Sequence, residues 1–237
     1  MHVQPAVQPG WNVSGPDVSG WNVYGAPRPD PAKDLRDESN AAKWASRAMT
    51  IGAVLYVFYY VGFVLLMGWI VDRLSGFHSG SEQEQQEQFQ HFAGEFFGSF
   101  ALLEVIAVGL FAVQVVIIVW FYRAALVASR LSIPARRAPI WAAIGFVIPV
   151  VNFWFPYQAA LDMLPAGHAG RRLVGWWWAG WLSQSLLWFL PMGAAILSVP
   201  VGISLSLLVS IVPILTARTG RQLVAEVGVA HRGLLSG

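Results

Sequence analysis

Apolar residues in this chain arrive in blocks of about twenty, the length an α-helix needs to cross ~30 Å of hydrocarbon. The first block, 49–71, holds no charge until its end; Lys43, Trp44 and Arg47 precede it, and Trp69, Asp72 and Arg73 close it. A second, 98–121, runs out through Trp120, Phe121, Tyr122 and Arg123. A third, 173–190, follows Arg171 and Arg172, opens with Trp176, Trp177 and Trp178, and closes with Trp188 and Pro191. A tight turn over 191–193 leads to a fourth, 194–215, so the last two should form an antiparallel hairpin. Aromatic and basic residues at the block ends match the belts that anchor spanning helices at the two membrane surfaces.

The segment 138–157, APIWAAIGFVIPVVNFWFPY, is also long enough to cross, but Pro149, Asn152 and Pro156 interrupt its second half. If it crosses, Arg171, Arg172, Arg218, Arg221 and Arg232 join Arg73 on the outer face. If it enters and returns, Arg73 alone of the 15 Lys and Arg residues lies outside, which is the asymmetry cytoplasmic loops display. Pro149 removes a backbone donor, and Asn152 offers a hydrogen bond to a broken backbone. Non-helical backbone at membrane depth must be covered by protein or water. The expected fold is therefore all-α: a polytopic bundle of four transmembrane helices plus one re-entrant or interfacial helical hairpin. Both termini are expected to be cytoplasmic, in a multi-pass plasma-membrane protein whose surroundings are the lipid bilayer.

The loop 74–94 carries Glu82, Glu84 and Glu87 with no Lys or Arg, which suits an outward position. At ~100° per residue Glu84, Glu87, His91 and Glu95 share one helical face, with Phe89, Phe92, Phe96 and Phe100 roughly opposite. An amphipathic helix is expected there, lying on the outer surface or extending the second span. A solvated acidic face explains these residues, and no metal ligands are assigned. Inside the second span Glu104 lies about 9 Å from Gly98 at 1.5 Å per residue; a carboxylate at that depth needs a partner or a proton. Gln114, farther in, suits an interhelical hydrogen bond. In the fourth span small residues recur at every fourth place, Ala194, Ser198, Gly202, Ser206 and Ser210. About three of them can share one close helix contact, within the bundle or, as a homo-oligomer, between copies; Pro200 and Pro213 are expected to kink this helix.

Composition agrees: 56% hydrophobic and 12% charged residues contrast with about 25% charged in soluble domains. The chain has no cysteine, which excludes disulfides and thiolate chemistry. Its sequence pI of about 9.2 comes from basic residues flanking apolar blocks and not from a nucleic-acid-binding face. Residues 1–47 are read as a disordered, Pro/Gly-rich cytoplasmic tail, 48–217 as the membrane domain and 218–237 as a short cytoplasmic tail. In the first tail GWNVSG (10–15) recurs as GWNVYG (20–25), and its Trp11 and Trp21 could dock a cytoplasmic protein.

Taken in order, VWFYRA (119–124), WAAIGFVIPVVNFWFPYQ (141–158) and VGWWWAGWLS (174–183) resemble the domain of unknown function 4328 family, bacterial and largely actinobacterial integral membrane proteins. The resemblance covers about 48–217. It implies family marks at Tyr122 and Arg123, at Pro149, Asn152, Pro156 and Tyr157, and at Trp176, Trp177 and Trp178, and it implies no activity. The chain lacks a phosphate-binding glycine loop, HExxH and Gly-x-Ser-x-Gly, and its five His are scattered. No catalytic residue, cofactor or metal is assigned. The expected function is a non-enzymatic membrane scaffold or regulator; the alternative is a small oligomeric transporter or channel using Asn152 and Glu104.

Overall fold

Helices α1 (Pro31–Ser75) and α2 (Glu82–Arg130) form a long antiparallel pair. Their 45 and 49 residues span about 67 and 73 Å at 1.5 Å per residue, more than twice the ~30 Å of a bilayer core. The computed structural model describes residues 30–75, 81–187 and 189–236. Glycines set the closeness of the pair: a Cβ on Gly52 would lie 2.9 Å from Val113, and one on Gly62 3.2 Å from Leu103. Small residues permit such approach where lipid gives helices no hydrophobic drive to associate.

Residues 31–47, expected to belong to a disordered tail, are instead the first turns of α1. Ala41, Ala42 and Ala45 recur at helical spacing and pack on the core, which gives this polar stretch a reason to fold. Trp11, Trp21 and the repeat around them lie outside the described residues. The amphipathic stretch at 84–100 is part of α2, continuous with the second apolar block. Ser81 caps it: its hydroxyl accepts from the Glu84 amide, and the Glu84 carboxylate accepts from the Ser81 amide. Its aromatic side stacks on α1, with Trp69 and Phe92 5.3 Å apart, and Arg73 reaches Glu95 at 3.0 Å.

The broken segment forms α3 (Trp141–Val147), a 3-10 turn (Val151–Phe153) and α4 (Phe155–Asp162). Ile148 adopts the extended conformation imposed on a residue before proline, and this ends α3. Pro156 takes the second place of α4, where no amide donor is needed. Gly145 lets the two helices touch, since a Cβ there would sit 2.8 Å from Phe155 Cβ. The Arg136 amide donates to Asp162 Oδ2 at 3.0 Å, and the Arg137 guanidinium donates to Gln158. Residues flanking the segment thus meet, and helices of 7 and 8 residues reach only about 10–12 Å each.

The chain continues as α5 (Arg171–Leu187), α6 (Phe189–Leu197), α7 (Val199–Val209) and α8 (Ile211–Ser236). The reversal expected at 191–193 falls at Ser198 (φ −161°, ψ 115°), with α6 and α7 packed against each other. Pro200 is the second residue of α7, a first-turn place where a missing amide costs nothing. Pro200 therefore starts a helix where a kink was expected. Near Pro213 the fourth span is interrupted, α7 giving way to α8 at Ser210. The small-residue stripe is divided: Ala194 lies on α6, Ser198 makes the turn, Gly202 and Ser206 are buried along α7, and Ser210 is buried at its end. The tail expected at 218–237 is the second half of α8, helical through Ser236.

Four helices are long and apolar enough to span a membrane: Ala32–Ser75, Gln83–Arg130, Arg171–Leu197 and Val199–Ser236. The described residues contain helices and no strand, and this all-α architecture fits a multi-pass membrane protein. The main core gathers near one end of the bundle around Trp120, Phe121, Phe146 and Trp177. Phe121 meets Phe146 and Trp177 with ring centres 4.8 and 5.4 Å apart.

Candidate functional site

Asp34, Asp37 and Glu38 lie three and four places apart at the start of α1, a spacing that stacks side chains on neighbouring helical faces. Two of them turn toward the end of α2, where Asp34 pairs with Arg130 and Asp37 lies 3.6 Å from Arg123. Glu38 turns inward and is buried, its Oε1 2.8 Å from Nδ1 of His231 on α8. His231 is 0% exposed, and its Nε2 stands 3.0 Å from the Met163 carbonyl oxygen just past α4.

The partners dictate the protonation. A carbonyl oxygen only accepts, so Nε2 carries a hydrogen and donates it to Met163. Nδ1 then either donates to a Glu38 carboxylate or accepts from its carboxylic acid, and one proton lies between them in both cases. Both ring nitrogens are engaged. The triad ties three elements remote in sequence, α1, α8 and the linker after α4.

That linker is fixed from the other side as well. Arg171 Nη1 donates to the carbonyls of Leu161, in the last turn of α4, and of Leu164 just beyond it, each at 2.9 Å. Asp162 receives Arg136, and the His168 Nδ1 accepts from the Gly170 amide at 3.1 Å. Lys and Arg residues from α1, α2, α5 and α8 thus collect at one end of the bundle, whereas Arg73 pairs with Glu95 beyond the other end of the apolar run. Alongside, a groove of about 850 Å³ runs between α1 and α8, with Thr50, Arg218 and Arg221 on its polar wall.

The residues expected from sequence to matter are spread out. Glu104 is exposed on α2, with no hydrogen-bond or ion-pair partner among the described residues. Gln114 lines a hollow of about 40 Å³ with Tyr56, Gln184 and Thr216, room for about one water. Asn152 Oδ1 is buried without a hydrogen-bond partner among the described residues, so this side chain does not mend the broken backbone; the Asn152 backbone N–H does, donating to the Ile148 carbonyl at 2.8 Å. Glu104 lies seventeen residues, about 25 Å along α2, from Phe121, which touches α3. Pro149 is exposed in the turn, Pro156 is buried and Tyr157 packs on the core. Trp177 is 2% exposed at the centre of that core and Trp178 is buried beside it, but Trp176 is 72% exposed and points away. Ser198, Gly202 and Ser206 serve the turn and packing of α6 and α7.

Sequence reasoning missed Glu38, His231, Asp162 and Arg171. A signal existed: Asp34, Glu38, Ala41, Ala45 and Met49 on α1, and Gly220, Leu223, Val227, Ala230 and His231 on α8, repeat at helical spacing and place both polar residues on core-facing stripes.

Among the described residues no group of three His, Asp or Glu is arranged to hold a metal. Neither a curated protein nor a solved structure matches the chain. A family model described as "Domain of unknown function (DUF4328)" matches residues 82–224, from the first residue of α2 into α8, and so covers the broken segment, the Trp cluster and the linker anchored by His231. The chain belongs to that family.

Proposed function

We propose that the protein is a non-enzymatic membrane scaffold or regulator in the plasma membrane. Both termini and the α4–α5 linker lie in the cytoplasm, and 138–157 re-enters from that side. One observation carries this reading: Glu38, His231 and the Met163 carbonyl join α1, α8 and the exit of the broken segment in one buried contact. The Arg136 amide bonded to Asp162 brings the entrance to the same place. Lys and Arg concentrate at this end, and the positive-inside rule directs such an end to the cytoplasm. A polar layer cross-linked in this way holds its exposed residues, among them Arg36 and Arg172, in fixed positions, as a docking platform requires.

Photo-crosslinkers placed at Arg36 and at Arg172 test this in cells. The expected result is the same protein recovered from both sites, and lost when His231→Ala loosens the layer. Failure to recover any reproducible partner would overturn the scaffold reading.

A further inference from the structure

We propose that the groove between α1 and α8 binds an anionic phospholipid, with the headgroup phosphate on Arg218 and Arg221 and an acyl chain along Val54, Val57 and Phe58. The proposal requires the chain to lie in a bilayer and does not depend on a protein partner. The two walls change character at the same level. On α1 the lining passes from Ser46 and Thr50 to Val54, Val57 and Phe58; on α8, running the other way, it passes from Gln222 and Arg221 through Arg218 to Ile214. Arg221 Nη1 lies 3.4 Å from the Thr50 hydroxyl and fixes that register. From Ser46 to Phe58 is about 18 Å of helix, roughly the length of an extended acyl chain with its glycerol. The graded wall suits a molecule with a polar head near the surface and a tail pointing toward mid-bilayer.

Charge selects the head. Arg123, Arg130 and Arg136 each face an aspartate, whereas Arg218 and Arg221 are exposed with no carboxylate at ion-pair distance among the described residues. An adjoining hollow of about 1020 Å³, sharing Ser46 and Ala225 with the groove, adds Arg36, Lys43, Arg47 and Arg232. Its one carboxylate, Glu38, is engaged by His231. Basic pockets between spanning helices on the cytoplasmic side are the recurring receptor for anionic headgroups. A free anion would leave the apolar wall unused, and a zwitterionic lipid would bring a cation toward the arginines.

Native mass spectrometry of the detergent-solubilised full chain, titrated with dioleoyl phosphatidylglycerol or dioleoyl phosphatidylcholine, tests the site. The first bound phosphatidylglycerol should be tighter than phosphatidylcholine by about tenfold or more. Arg218→Gln with Arg221→Gln should weaken it by about 30-fold, at roughly fivefold per basic residue, and leave phosphatidylcholine unchanged. Val54→Trp, which fills the tail wall without touching charge, should also weaken it, while Arg172→Gln outside the groove should not. Equal binding of the two lipids, or undiminished binding in the arginine and Val54 variants, would overturn the proposal. Displacement of the lipid by inorganic phosphate alone would also overturn it, by giving the arginines to a soluble anion.

Discussion

Glu38 and His231 stand 193 positions apart in sequence and 2.8 Å apart in space, both buried. Removing one member of a buried, hydrogen-bonded pair strands the other and costs about 3–5 kcal/mol. His231→Ala should show a loss of that size. Glu38→Gln should lose less, because an amide can still donate to Nδ1. Leucine at both positions should recover part of the stability, since neither side chain then strands the other and only the Met163 carbonyl loses its donor. Unfolding midpoints of the purified protein in detergent check the order: the single His variant lowest, the double variant between it and the parent.

At the α5–α8 contact, a Cβ on Gly180 would collide with the Thr216 hydroxyl. Gly180→Ala should destabilise by about 1–3 kcal/mol, and adding Thr216→Ala should return most of it as a coupling between neighbours. Gly202 differs, because a Cβ there meets the Ala195 backbone, Cα at 2.8 Å and N at 3.0 Å. Gly202→Ala should therefore have no side-chain rescue, and Ala195→Gly should fail to restore the parent midpoint.

The residues that carry the family resemblance should divide sharply by burial. Arg123 forms a half-exposed pair with Asp37, and such pairs contribute about 0–1 kcal/mol, so Arg123→Gln should barely move the midpoint. Trp177→Ala empties the core centre and should cost about 3–5 kcal/mol. Trp176→Ala, at an exposed position, should stay within about 0.5 kcal/mol. The same unfolding assay reads all three.

The buried Asn152 oxygen has no hydrogen-bond partner among the described residues. Replacing an unsatisfied polar group by an apolar one of similar size should be neutral or stabilising by about 1 kcal/mol. Asn152→Leu should therefore keep or raise the midpoint, and a marked drop would show that the side chain has a bound partner.

The four membrane-length blocks were legible because a spanning helix must be apolar for about twenty residues wherever it packs. The ends of those helices were not, because polar turns at 31–47 and 218–236 are held by partners far away in sequence, Glu38 by His231 and Asp37 by Arg123. A Pro/Gly-rich stretch upstream made Asp34 and Glu38 look like tail residues. The prolines of the last two spans posed a different problem: a proline can open a helix or end one, and only the packing of Gly202 on Ala195 fixes the turn at Ser198. Depth in a span was readable for Glu104, but the face it presents depends on which side of α2 meets α1, which one helix cannot reveal.

The central claim is that 138–157 returns to the end it left, so that the α4–α5 linker shares a side with the end of α8. The chain has no cysteine, so single substitutions can be read on intact cells with a membrane-impermeant maleimide. Gln86→Cys, Ala166→Cys and Gly233→Cys are exposed positions before α2's apolar run, in the α4–α5 linker and near the end of α8. The predicted result is labelling of Gln86→Cys from outside, with Ala166→Cys and Gly233→Cys labelled only after permeabilisation. Labelling of Ala166→Cys from outside together with Gln86→Cys would mean that 138–157 crosses the membrane, and would contradict the arrangement.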